Sequence, residues 1–188
     1  MKKKMYALLL ATILVAGVSA AAIASSVSGN DVSGNALPTP APVPPEVEEL
    51  GRAVTVSGSG LVVTAVSLDM LNHMKDLRAN NTDDFNVTYN LPRDARLVAA
   101  FNLNLRPGES MPAGGLIVPI RVNGAKAGDY VIVLHRKADY IWEVVARDFL
   151  TGDLTVNATF TSFSPVMVLL VTAEEAAAGG ITSPGTSD

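Results

Sequence analysis

Two histidines, His73 and His135, are the side chains best suited to general acid–base work, and neither stands in a recognisable catalytic setting. A catalytic histidine needs a nucleophile on one side and an orienting acid on the other. The serines cluster in linkers and turns, and no Gly-x-Ser-x-Gly occurs. His135 falls in an apolar run, where its expected role is a strand-end residue bonded to backbone or water. Glycoside hydrolysis would need two carboxylates facing each other across a cleft. Asp83, Asp84, Asp129, Asp139, Glu143, Asp148 and Asp153 are the candidates. Most stand in turn-like sequence, where aspartate bonds its own backbone. Turn carboxylates are also hard oxygen ligands of the kind calcium takes, but neither EF-hand nor nonapeptide spacing appears. Cysteine is absent, which excludes disulfides and thiolate metal sites. Glycan binding would need exposed aromatic side chains, and Tyr130, Tyr140 and Trp142 fall close together. Alternation groups Trp142 with Val144 and Ala146 on one face, as core. Tyr130, His135 and Tyr140 are thus the candidates for ligand contact. No catalytic, cofactor-binding or metal-ligating residue is assigned, and no cofactor is expected.

The elements that must position these residues read mostly with period two. "RAVTVSG" and "GLVVTAVSL" are strand-like and separated by glycine-rich turn sequence. "ARLVAAFNLNL" alternates, with Leu97, Ala99, Phe101, Leu103 and Leu105 on one face and Arg96, Asn102 and Asn104 on the other. "GLIVPIRV" follows, and Pro119, which has no N–H, predicts an edge strand or a bulge. "NGAKAGD" marks a turn before "YVIVLHRK", which a short break separates from "YIWEVVARDFL". "LTVNATFTSF" leads to Val166–Val171, six apolar residues. A membrane helix needs about 20, so this run predicts an inner strand, apolar on both faces, that shares one core with Trp142 and Phe163. One segment departs from the pattern. Met70, Leu71, Met74 and Leu77 recur at helical spacing, predicting a short helix near residues 69–78 capped by Asp69 and followed by a polar loop over Asn80–Asp84. Short strands with Gly, Pro and Asn-Gly turns predict an all-β fold, an immunoglobulin-like β-sandwich without the immunoglobulin cysteines.

The ends of the chain point to export. Lys2, Lys3 and Lys4 precede an uncharged apolar run, and Val18-Ser19-Ala20 and Ala22-Ile23-Ala24 offer small residues at cleavage positions. Residues 1–24 are read as a signal peptide. The chain carries 14 basic and 18 acidic residues, net −4, and losing those three lysines makes it more acidic. An acidic surface repels nucleic acid and anionic lipid, so neither is an expected partner. Residues 25–45 hold the tetrapeptide VSGN twice and five prolines from Pro38 to Pro45. They are read as a disordered spacer, stiffened toward polyproline II. Residues 46–173 form one domain, large enough to bury a core without staples, and 174–188 a flexible tail.

The second half, Leu116 to Val171, resembles a module of secreted and surface proteins of Gram-positive bacteria. The motifs that carry this are Gly128-Asp129-Tyr130, His135, Trp142-Glu143, Gly152-Asp153 and Ser162-Phe163-Ser164-Pro165. The chain departs from the pattern at Asp139-Tyr140-Ile141, where the module usually has an Asp-Gly turn before the tryptophan. The resemblance implies an immunoglobulin-like β-sandwich used for display, and no reaction. The expected function is a non-catalytic exported module that displays or binds, outside the cell or at its surface. Its expected partner is a cell-wall glycan or another surface protein, with no membrane contact after signal cleavage. The alternatives are a small secreted hydrolase and a purely structural spacer domain.

Overall fold

The computed structural model describes residues 42–79 and 82–182, apart from the side chains of residues 82 and 83. The stretch read as a signal peptide, nearly all of the stretch read as a spacer and the last six residues lie outside the described residues. The elements run α1 (Pro45–Arg52), β1 (Val54–Val56), β2 (Leu61–Ala65), α2 (Leu68–Ala79), α3 (Thr82–Tyr89), β3 (Arg96–Leu105), β4 (Leu116–Val122), β5 (Tyr130–Arg136), β6 (Trp142–Phe149), β7 (Thr155–Phe160), β8 (Pro165–Val171) and α4 (Ala173–Ala178). No helix among the described residues is long and apolar enough to cross a membrane.

The strands form two sheets, one ordered β1-β4-β7 and the other β2-β3-β8-β5-β6, with every pairing antiparallel. Their facing sides share one core. The small sheet contributes Val118, Ile120, Val156 and Phe160, and the large sheet contributes Phe101, Leu103, Val131 and Val168. This is a sandwich of two antiparallel sheets. The outer face of the large sheet is apolar too, and the helices cover it. Leu71 and Met74 of α2, Val47 of α1, Phe85 of α3 and Ala176 of α4 pack with Ile132, Leu134, Trp142, Met167 and Leu169. β8 lies in the middle of the large sheet, between β3 and β5, and Val166 through Val171 are all buried. Each such side chain contributes about 1.5–3 kcal/mol of transfer free energy. The short apolar run is the inner strand its length predicts.

Several expectations are corrected. The described residues hold four helices, not one. α3 occupies most of the expected polar loop, and α4 the start of the expected flexible tail. Helices of six to eight residues are marginal alone; these persist because they cover a sheet face. α1 starts with Pro45 at its first turn, with Glu46 and Glu48 near its N-terminus and Arg52 in its last turn. α4 is held by a capping box in which Thr172 and Glu175 bond each other's backbone. α2 begins one residue before the expected cap, and Ser67 Oγ, not Asp69, accepts the Met70 N–H at 3.2 Å. Arg78 then ties α2 to its surroundings, donating to Asn86 Oδ1 and to the carbonyls of Pro92, Arg93 and Ala95.

Two bulges overturn the simple alternation. The β3–β8 register slips between Leu97 and Ala99. Leu97 therefore packs under the helices while Ala99, Phe101 and Leu103 face the other sheet. The β5–β6 register slips at Val145, so Trp142 and Val144 face the helices but Ala146 faces the small sheet. Trp142 thus shares no core with Val168 and Phe163, which belong to the inter-sheet side. Pro119 lies in a middle strand, not at an edge. Its carbonyl accepts the Ser57 N–H at 3.0 Å, so its missing donor faces the point where the three-residue β1 stops.

Candidate functional site

β5 and β6 pair along their length, and the hairpin they form carries all three candidate residues, Tyr130 and His135 on β5 and Tyr140 in the connecting loop. Lys137 N–H donates to the Ile141 carbonyl at 2.8 Å, and Tyr140 N–H to the Lys137 carbonyl at 3.0 Å. Asp139 Oδ1 accepts the Ile141 N–H at 3.2 Å, the turn chemistry its position predicts. Closing so tight a loop forces Tyr140 into the left-handed region at φ 67°. That conformation costs a non-glycine residue about 1–2 kcal/mol. Tyr140 is nonetheless 73% exposed, and Ile141 beside it is 56% exposed. The Arg136 guanidinium lies 4.7 Å from the centre of the Tyr140 ring, within cation–π range. Arg136 also reaches Met70 Sδ on α2 at 3.6 Å. Tyr140 is therefore an exposed aromatic held against a cation that is itself anchored to a helix.

His135 is the opposite case, with no exposed surface. Alternation along β5 turns it to the inter-sheet side, where it meets Phe160 edge-on at 5.6 Å between ring centres. Its Nδ1 is 3.2 Å from Glu143 Oε1, directly across the β5–β6 pairing. Lys137 Nζ holds the other carboxylate oxygen at 2.9 Å. Desolvation pushes the His135 imidazole below its ordinary value and outweighs the opposing pull of Glu143. Partial burial works to raise the Glu143 carboxyl, but hydrogen bonds from Lys137 and His135 outweigh it and hold the group below the usual carboxylate range. The imidazole is thus neutral near pH 7, with the Nδ1 proton donated to Glu143. Nε2 is left as a bare acceptor with no partner among the described residues. A general base must reach the proton it takes, and this nitrogen faces apolar side chains.

The third candidate, Tyr130, stands at the far end of β5. Five residues of strand, roughly 16 Å, separate it from His135. It is half-buried against Phe149, with ring centres 4.9 Å apart, on the helix-covered side. The three residues therefore do not converge. His135 is internal, Tyr130 packs half-buried against a core, and of the three Tyr140 alone is largely exposed. The acidic candidates are equally dispersed. Asp129 is buried and joins the turn before β5 to the start of α4, accepting the N–H groups of Lys126 at 2.9 Å and Ala173 at 3.0 Å. Asp153 accepts the Thr151 hydroxyl at 2.7 Å within its own turn. Among the described residues, no three His, Asp or Glu side chains gather where they could hold a metal ion.

Arg136 and Lys137 are the site residues that sequence reasoning missed. Their partners lie four and six residues on, across a turn whose geometry decides the contact. Recognising Lys137–Ile141 as a closed hairpin loop would have found both. No family model matches the chain, and neither does any curated protein or solved structure.

Proposed function

We propose that this chain is an exported, non-catalytic module of immunoglobulin-like type that binds a wall glycan or a surface protein of a bacterial cell. The Lys-rich start, the small residues before Ser25 and the proline-rich stretch support export and a spacer. The Trp-Glu and Ser-Phe-Ser-Pro motifs support the Gram-positive display module. The observation that carries the binding role is Tyr140, exposed, left-handed and backed by Arg136 at the tip of the β5–β6 hairpin. Strained, exposed residues cluster where a surface is shaped for contact. A tyrosine offers a rigid amphipathic face at low entropic cost.

The test is a binding screen of the secreted chain against wall polymers and surface proteins, with Tyr140→Ala beside it. We expect saturable binding that weakens about tenfold in the variant, or roughly 1.4 kcal/mol. Binding that ignores Tyr140 would refute the site. Mass spectrometry of the secreted chain should find an N-terminus near Ala21 or Ser25, and an intact Met1 would refute export with cleavage. The rival reading, a small hydrolase, would have to use the His135–Glu143 pair, a histidine held by a carboxylate. The sealed Nε2 speaks against it, and turnover lost in His135→Ala would restore it.

A further inference from the structure

The two outer edges of the large sheet are built differently. β6 is guarded: it carries Glu143, Arg147 and Asp148, it is bulged at Val145, and it packs against β7. Charges and bulges are the usual devices that stop a sheet edge from pairing with another chain. β2, at the opposite edge, has neither charge nor bulge, although α1 packs against it. Its five residues, Leu61 to Ala65, hold no charge, no proline and no register slip against β3. The uncharged stretch extends from Ala53 to Leu68, between Arg52 and Asp69. The residues of β3 facing it across the pairing include Asn102 and Asn104, also uncharged.

The backbone groups left open on β2 can be identified. Arg106 N–H donates to the Gly60 carbonyl at 2.7 Å, and Leu103 N–H turns away to Ser164 at 3.3 Å. With hydrogen-bonded and non-bonded pairs alternating along an antiparallel ladder, Val62 and Thr64 bond β3. Leu61, Val63 and Ala65 point their N–H and C=O groups outward. The Ala65 carbonyl accepts the Asn102 side chain at 2.8 Å; the others have no partner among the described residues. Val63 is also 39% exposed, an apolar side chain at the rim of the inter-sheet face.

We infer that β2 pairs with β2 of a second copy of this chain, joining the two large sheets antiparallel into one. Three features select a second copy. The open groups are centred on Val63, so a two-fold axis there sets Val63 against Val63 and Leu61 against Ala65. In that register the two Val63 residues exchange N–H and C=O, and each Ala65 N–H meets a Leu61 carbonyl. The chain is net acidic, and copies meeting elsewhere carry like charge, whereas the 53–68 stretch meets its equal with none. The pairing also covers Val63 with an identical β-branched side chain, a favourable cross-strand pair. A joint of this length buries less than the roughly 1,200–2,000 Å² of a stable interface. Association is therefore weak in dilute solution, and it gains where many copies are held close on one surface.

The experiment is sedimentation of the secreted chain from about 10 μM to about 1 mM, a span that detects dimers of micromolar to near-millimolar affinity. Amide hydrogen exchange is read at Leu61, Val63 and Ala65 over the same range. We expect a dimer that grows with concentration and exchange at these amides that slows with it. Val63→Lys should return the chain to monomer, while Val63→Thr should keep the dimer. The exchange measurement needs no variant, so it decides the matter even if a substitution disturbs folding. A chain still monomeric at the highest concentration would overturn the inference. So would a dimer that survives in folded Val63→Lys, or β2 amides that slow only when another protein supplies the strand.

Discussion

Acid should weaken this fold through His135, in a pH range set apart from the carboxylates. The side chain has no exposed surface, and its Nε2 lies among apolar groups beside Phe160. Protonation would place a charged N–H there with no acceptor, and a buried unpaired donor costs about 1–3 kcal/mol. In the unfolded chain the imidazole takes its proton near its ordinary value of 6.5; in the folded chain burial delays this to lower pH. Between the two values the unfolded state binds more protons, so stability falls as pH falls. The loss begins near pH 6.5, cannot exceed about 1.4 kcal/mol per pH unit from one group, and stops below the folded value. The lowered carboxyls of Glu143, Asp153 and Glu175 also lose stability in acid, but only as pH drops through and below about 4.5, the usual carboxylate range. Urea unfolding from pH 8 to 5, followed by the fluorescence of the single Trp142, reads the effect directly. Stability should be level above about pH 7.5 and decline below 6.5. His135→Leu removes both the proton site and the orphaned nitrogen, and should flatten that decline. The exposed His73, changed to Asn, is the control. A wild type level down to pH 5, or a decline that persists in His135→Leu, would refute the reasoning.

Trp142→Ala should cost about 3–5 kcal/mol, because the indole is 4% exposed and fills the core between the large sheet and the helices; a loss under about 1 kcal/mol in urea unfolding would contradict that packing. Tyr140→Gly should leave stability within about 1 kcal/mol, since relief of left-handed strain offsets the lost contact with Arg136. A larger loss by thermal melting would make Tyr140 a structural residue. Thr172→Ala breaks the capping box of α4 and should cost about 1 kcal/mol. No change would mean that α4 adds nothing to the sheet it covers.

Much of the β structure was legible because it is local. Period-two runs mark β3 through β7, and a six-residue apolar run before Glu174 and Glu175, too short to cross a membrane, reads as the inner strand β8. Met70, Leu71, Met74 and Leu77 announce α2 by their spacing. The lack of cysteine settles that this core stands without disulfides. What the sequence could not disclose depends on partners distant in the chain. β1 and β2 are near neighbours in sequence yet join different sheets, which only long-range pairing decides. The bulges at Val98 and Val145 arise from register against β8 and β5, and each reverses the faces that alternation assigns. α1, α3 and α4 are too short to signal themselves; they form because the large sheet has a second apolar face to cover. The candidate residues divide the same way. Tyr130, His135 and Tyr140 could be picked by type from one stretch of chain. Burial then separated them, since a strand that is covered on both faces hides its histidine, and only the turn beyond it reaches water.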